Sequence, residues 1–270
     1  MHALLNVAVM AARRAGAVLI RNLPKLEKLK VEQKGHNDYV SEADRAAERA
    51  IIDVIQRHYP EHAIIAEESG AQGDPDSDTA WIIDPLDGTT NYLHGFPVFA
   101  VSIGVKVDGR LSHGVVYDPL RQDLFTASRG AGAQLNEHKI RVSGQKELAR
   151  SLIGTGFPFR QPDSEIGPYL GMLGKVLKNT SGVRRAGAAA LDLCYVAAGR
   201  LDAFWETGLA PWDLAAGSLI IREAGGIVSG LDGSENFLDS GHVLCGTPKI
   251  YSGLAKLCAG NIKAILQQSP

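Results

Sequence analysis

Cysteine is scarce in this chain: three stand in 270 residues, at positions 194, 245 and 258. They form no C-x-x-C pair and cannot all be bridged, which argues against a disulfide-stapled scaffold and for buried thiols in a reducing, cytoplasmic setting. A basic excess is also missing. The 28 Lys and Arg face 30 Asp and Glu, a net charge of −2, so the chain as a whole carries no electrostatic footprint for nucleic acid, although a local patch stays possible. No run approaches the roughly 18 consecutive apolar residues of a membrane span. In "MHALLNVAVMAARRAGAVLIRNL" the arginines follow the apolar stretch and no cleavage signal is evident, so no signal peptide is expected. Leu5, Ala8, Ala12, Ala15 and Leu19 recur there at three- and four-residue steps, the pattern of an amphipathic helix. Repeats, low-complexity segments and clear linkers are absent. With 45% apolar residues, the length suits one large domain or two tightly joined lobes, and without a linker one domain over 1–270 is the expectation.

What is present reads as alternating blocks of helix and antiparallel strand. Ser41 and Asp44 form an S-x-x-D start signal for a helix from 41 to 58, which Pro60 follows. "AIIA" (63–66) and "AWII" (80–83) read as buried strands joined by the polar loop 69–79. From Phe99 to Ser128 strands recur around turns at Asp108-Gly109 and Asp118-Pro119. "SLIGTGF" (151–157) and "LDAFWE" (201–206) read as strands, with a helix in "AGAAALDLCYVAAG" between them. "WDLAAGSLIIREAGG" (212–226) reads as a helix with glycines at its end. "HVLCG" is a strand, and a final helix starts near Pro248. The class is α+β with layered packing.

The segment "WIIDPLDGTTNYLHG" (81–95) poses a chemical question. A strand delivers Asp84, and Asp87 follows past the stiff Pro85, with the carbonyl of Leu86 between them. Another strand ends at Glu67 and Glu68. Adjacent residues of a regular strand face opposite sides, so only one of these two glutamates is expected at a shared site. Two carboxylates about 4 Å apart repel by roughly 4 kcal/mol at an effective dielectric near 20. A cluster of them must be protonated, separated or neutralised by cations, and all-oxygen ligation suits Mg²⁺, Mn²⁺ or Ca²⁺. "GTTN" reads as a turn entering a helix, where the N–H groups of Gly88 and Thr89 suit a phosphate. Carboxylates beside a phosphate cradle point to metal-assisted phosphoryl hydrolysis. A plain surface turn at D-P-x-D-G, or a glycosidase acid/base pair, are the competing readings. Asp213, in the first turn of the helix after Pro211, and Glu206, at a strand end, read either as a helix cap and an edge charge or as further members of the site.

"WIIDPLDGTTNYLH" together with "WDLAAGSLIIREAGG" resembles the two signatures of the inositol monophosphatase family, within the lithium-sensitive, Mg²⁺-dependent sugar phosphatase superfamily. The likeness runs from "KGHNDYVSEAD" to the last helix. "SRGAGAQLN", "GTGFPFR" and "VRRAGAAALDLCYVAAGRLDAFWE" are most similar to the bacterial SuhB-like branch. The resemblance implies a layered αβαβα sandwich, usually a homodimer, with two to three Mg²⁺ ions per site. It implies that Glu67, Asp84 and the Leu86 carbonyl hold one ion, that Asp84, Asp87 and Asp213 hold a second, and that Glu67 holds a third. Asp44 and Thr89 would orient the attacking water, with Glu68 behind the metal ligands and Lys34 on a nearby loop. Gly88 and Thr89 would cradle the phosphate. Asp87, Ala189, Glu206 and Asp213 would face the polyol, with Thr155 a candidate further contact. His94 is expected to be structural and His36 to lie on a surface loop. The implied activity is inositol-1-phosphatase with tolerance for related sugar phosphates; the alternatives are a phosphatase for fructose-1,6-bisphosphate or phosphoadenosine phosphate. A binding role in the RNA polymerase antitermination complex is implied for the branch, and Arg184 and Arg185 are the contact residues to test.

Overall fold

The structure, a computed structural model, describes residues 2–35, 38–158 and 166–267. A helix pair, α1 (Ala3–Asn22) and α2 (Glu42–His58), flanks a small hairpin of β1 (Val31–Gly35) and β2 (Asp38–Ser41). The first large sheet holds β3 (Ala63–Ala66), β4 (Gly70–Gln72), β5 (Thr79–Asp87), β6 (Ala100–Val107), β7 (Arg110–Asp118), β8 (Asp123–Ser128), β9 (Gly132–Leu135) and β10 (His138–Lys139). Their order is β10-β9-β8-β7-β6-β5-β3-β4, antiparallel except for the β3/β5 pair. The second sheet holds β11 (Leu152–Thr155), β12 (Gly182–Arg184), β13 (Ala203–Glu206), β14 (Ile227–Ser229) and β15 (Val243–Gly246), ordered β12-β11-β13-β15-β14. Between β5 and β6 lies the short helix α3 (Thr89–Leu93); the other helices are α4 (Gly167–Asn179), α5 (Ala189–Ala197), α6 (Pro211–Glu223), α7 (Phe237–Ser240) and α8 (Pro248–Leu266).

Three apolar clusters define the layers. One joins α1 and α2 to the first sheet, the second joins that sheet through α5 and α6 to the second sheet, and the third joins the second sheet to α4 and α8. This is the expected αβαβα sandwich. Small residues set its spacing. Ala8, Ala11, Ala12 and Ala15 on α1, and Ala43 and Ala47 on α2, are fully buried, so the two helices approach closely. By mean hydropathy alone, Ala3–Glu27 could cross a membrane. That departs from the expectation drawn from unbroken apolar runs: Asn6, Arg13 and Arg14 interrupt the run without lowering its average far. Half of its most apolar 18-residue window is buried within the fold, so α1 packs as a core helix.

Other departures have local causes. The polar loop at 69–79 holds β4, paired antiparallel with β3. Helix α4 was hidden by Gly167, Gly171 and Gly174, which read as breakers. Its buried Tyr169, Met172 and Val176 follow helical spacing, and a Cβ on Gly171 would press to 2.6 Å from the Asn261 side chain of α8. At the β6–β7 turn Asp108 (φ 49°) and Gly109 (φ 71°) both take positive φ, as the D-G pair predicts.

The feature that positions the site is a bulge. Asp84 pairs with Ser102 and Asp87 with Ala100, so three steps on β5 oppose two on β6. In a regular strand, residues three apart face opposite sides; the extra residue brings both aspartates to one side. Pro85, which lacks an N–H, sits where the ladder is interrupted. Helix α6 is then lowered onto the same sheet at two glycines. A Cβ on Gly104 would lie 2.7 Å from Ala215 Cβ, and one on Gly114 would lie 2.8 Å from the Ala216 carbonyl oxygen. Ser102 Oγ donates to the Trp212 carbonyl at 3.0 Å, tying the start of α6 to β6. Gly114→Val is therefore expected to lift α6 off the sheet and destabilise the fold by about 1–3 kcal/mol, a Tm loss of several degrees by calorimetry; an unchanged Tm would mean that α6 is not held by this contact.

Candidate active site

The bulge and the start of α6 open onto a cleft of about 650 Å³, lined among others by Glu67, Asp84, Asp87, Thr89, Glu206 and Asp213. Asp84, Asp87 and Asp213 are buried, and one ligand oxygen from each lies within 4.8 Å of the others. Backbone donors hold each of them. The Leu86 N–H reaches Asp84 Oδ1 at 2.9 Å; the Ala189 and Ala190 N–H groups reach the two oxygens of Asp87 at 3.2 and 2.8 Å; the Ala210 N–H reaches Asp213 Oδ2 at 2.8 Å. These bonds aim the carboxylates but do not neutralise them. Burial pushes the Asp84 carboxyl well above the ordinary range, and the neighbouring charges of Glu67, Asp87 and Asp213 push it further in the same direction.

Glu67 follows β3 directly, its N–H donating to the Ile83 carbonyl at 3.1 Å, and its side chain hydrogen-bonds with Asp84. Glu68 does not line the cleft; its N–H donates to Glu48 Oε2 at 2.8 Å. Only one of the adjacent glutamates reaches the cluster, as the alternation argument required. Glu48 itself was missed. It lies one turn after Asp44 on the buried face of α2, and that placement is the signal that could have found it.

Asp44 forms the capping box with Ser41. The Ser41 N–H and Oγ donate to its Oδ2 at 2.9 and 2.5 Å, and Thr89 Oγ1 donates to its Oδ1 at 2.9 Å. Burial raises the pKa of Asp44, while these donors pull it back. Thr89 Oγ1 also sits 3.1 Å from the Leu86 carbonyl oxygen, so the two aspartates of the bulge, that carbonyl and the Asp44–Thr89 pair converge. Gly88 (φ 91°) makes the turn into α3, and a Cβ there would lie 3.0 Å from the Val98 carbonyl oxygen. Helix α3 has five residues, so its macrodipole is small and anion binding there rests on the first-turn N–H groups. His94 closes it, with Nδ1 2.8 Å from the Thr90 carbonyl oxygen.

The far wall carries Glu206, at the end of β13, whose carboxyl a Cβ on Gly156 would overlap. Burial pushes its pKa well up, as do Asp192 and Asp213, while Arg185 pulls it down. Ala189 lines the cleft, and its N–H donates to Asp87, which helps hold that carboxylate in place. Thr155 is buried against the Tyr169 hydroxyl and the Trp205 carbonyl, away from the cleft. Arg184 and Arg185 are both exposed but face different surroundings: Arg184 donates to the Val183 carbonyl, whereas Arg185 lines the cleft with its guanidinium 5.7 Å from the Phe157 ring centre. Asp192, buried on α5 with Oδ1 unpartnered, was hidden in a helical run; a lone carboxylate within "AALDLCYVAA" was the available signal. The Lys34 side chain and His36 lie outside the described residues.

Comparison with known proteins agrees with this geometry. The sequence profile of the inositol monophosphatase family matches residues 1–263. The Nus factor SuhB of Pseudomonas aeruginosa is 52% identical over 257 residues, covering 94% of this chain and 95% of that protein. Among solved structures, the extragenic suppressor protein suhB of Bartonella henselae superposes with a TM-score of 0.92 at 44% identity, over 95% of this chain and 98% of that one. The inositol monophosphatase of Anabaena superposes with a TM-score of 0.83 at 39% identity, over 99% and 96%.

The raised carboxyl of Asp84 has a consequence for stability. The unfolded chain ionises this group at lower pH than the folded one, so without metal the group costs stability as pH rises past the ordinary carboxylate value. A divalent cation should therefore raise Tm more at about pH 7.5 than at about pH 5. Asp84→Asn should raise the metal-free Tm by about 2–4 °C, equivalent to about 1 kcal/mol, and abolish the cation response. Differential scanning fluorimetry with chelator and with cation reads both; a cation response that does not depend on pH would contradict the account.

Proposed function

Because this chain belongs to the inositol monophosphatase family, we propose that it is a Mg²⁺-dependent phosphomonoesterase acting on inositol-1-phosphate and related sugar and polyol phosphates. The observation that carries this reading is the convergence of Asp84, Asp87 and Asp213 within 4.8 Å, beside a hydroxyl–carboxylate pair and a turn with free first-turn N–H groups. Oxygen donors alone make up the cluster, which suits a hard cation. Glu67, Asp84 and the Leu86 carbonyl would hold one Mg²⁺, Asp84, Asp87 and Asp213 a second, and Glu67 a third. When bound, the ions supply charge neutralisation and acidify water.

The chain's own residues do the rest. Thr89 Oγ1 donates a hydrogen bond to Asp44, which leaves an oxygen lone pair to accept a hydrogen bond from the attacking water; as that water's proton moves to Thr89 Oγ1, the hydroxyl proton passes to Asp44. Burial makes Asp44 a stronger base than a solvated carboxylate. The Gly88 and Thr89 N–H groups face the phosphoryl oxygens, where negative charge grows in the transition state. Asp87 and Glu206 accept hydrogen bonds from hydroxyls of the polyol, and Ala189 contributes by fixing Asp87. Among the described residues of the cleft, Arg185 is the one Lys or Arg. A bisphosphate needs a second cationic pocket, so the monoester reading is preferred over fructose-1,6-bisphosphate or phosphoadenosine phosphate. A second, compatible role follows from the exposure of Arg184 and the name of the P. aeruginosa relative: a homodimer that joins a transcription antitermination complex in the cytoplasm through the surface around Arg184. Loss of co-purifying RNA polymerase in Arg184→Ala, with phosphatase activity retained, tests that role.

Asp87→Asn should lower Mg²⁺-dependent phosphate release from inositol-1-phosphate by about 10²-fold or more, and Thr89→Val should lower kcat by about 10²-fold with little change in KM. Release assays over a substrate panel, with and without Mg²⁺ and Li⁺, read both; undiminished turnover in Asp87→Asn refutes the proposal.

A further inference from the structure

On the outer side of the helix pair, away from the cleft, lies a groove of about 330 Å³ that the phosphatase reading does not use. Arg14, Ala17, Val18 and Arg21 form its α1 wall, all within two turns of one helix face; Ala46, Arg49, Ala50 and Asp53 form its α2 wall with the same spacing. The opposite faces of both helices are the buried alanine and isoleucine stripes that pack on the first sheet. The groove is therefore held open by helices that are themselves fixed in the core.

Its charge is unbalanced. Arg45, Arg121, Arg150, Arg200 and Arg222 each hold a carboxylate. Arg14, Arg21 and Arg49 make no ion pair among the described residues, and three guanidinium groups face the single carboxylate of Asp53. The floor between them is apolar and small, so a helix backbone can approach it closely. Arg14 and Arg21 lie about 10.5 Å apart along the axis, two helical turns, which matches carboxylates two turns apart on a docked helix. Met10, 44% exposed and one turn before Arg14, extends the apolar strip. No aromatic ring lines the groove to stack a base, and Asp53 opposes a phosphodiester chain.

We propose that this groove docks an amphipathic helix of a partner protein, with acidic residues flanking a narrow face of small apolar side chains, and with Asp53 fixing its direction through a basic residue. The test is fluorescence anisotropy with the full chain and three labelled probes. These are an alanine-rich helical peptide carrying glutamates two turns apart, its scrambled isomer, and a single-stranded RNA. The designed peptide should bind about ten-fold more tightly than its scramble, and Arg14→Glu with Arg49→Glu should weaken it by about ten-fold or more, leaving phosphate release unchanged. The neutral pair Arg14→Gln with Arg49→Gln serves if the charge reversal disturbs folding by circular dichroism. No preference for the designed peptide, binding that survives both variant pairs, or tighter RNA binding that the same substitutions abolish would each overturn the proposal.

Discussion

Everything at the cleft follows from the mutual repulsion of carboxylates that the fold forces together. Asp84, Asp87 and Asp213 are each buried and each held by backbone N–H donors. Those donors orient the oxygens without cancelling their charge, and the carboxyl of Asp84 is driven upward as a result. A site of this kind costs stability when ionised, a cost that protonation or a bound cation relieves. The same unfavourable electrostatics is relieved when a cation binds, which is why the cluster suits a metal ion.

The rest of the sandwich supplies the rigidity to sustain that arrangement. The β5 bulge is pinned on one side by β6, and on the other by β3, which runs parallel to it and leads directly to Glu67. Helix α6 is fixed against Gly104 and Gly114, so Asp213 cannot retreat without losing close packing over the central layer. Helix α5 gives its first N–H groups to Asp87. Ser41 and Glu48 on the α2 side hold Asp44 and the Glu68 backbone. Each cluster member is therefore anchored from a different layer, and relaxation at one position is resisted by the others. Stability given up at the cluster is recovered in the three apolar cores, where small residues permit close approach.

Much of the site was legible because its residues cluster in two short stretches whose local chemistry is unusual. "DPLDGTTN" contains two aspartates, a proline and a φ-permissive glycine in sequence, and few purely structural turns need that set. The capping box at Ser41–Asp44 was readable from spacing alone. Residues that act by burial were harder to see. Glu48 and Asp192 look like ordinary helix positions until their neighbours are known, since the cost of an enclosed charge depends on what surrounds it. Thr155 misled for the complementary reason: whether a hydroxyl is available depends on whether another group has already taken it.

By itself the sequence determined most of the longer elements and their order, the capping signals, the amphipathic faces and the identity of the acidic residues, because these depend on local spacing and side-chain chemistry; β4 and α4 escaped it. Tertiary structure alone decided that a one-residue bulge turns Asp84 and Asp87 to one side, that Arg185 enters the cleft while Arg184 stays outside, and that Arg14, Arg21 and Arg49 share a groove. Those outcomes rest on register and on the approach of elements far apart in the chain. No local pattern encodes them, since each is set by how whole layers pack against one another.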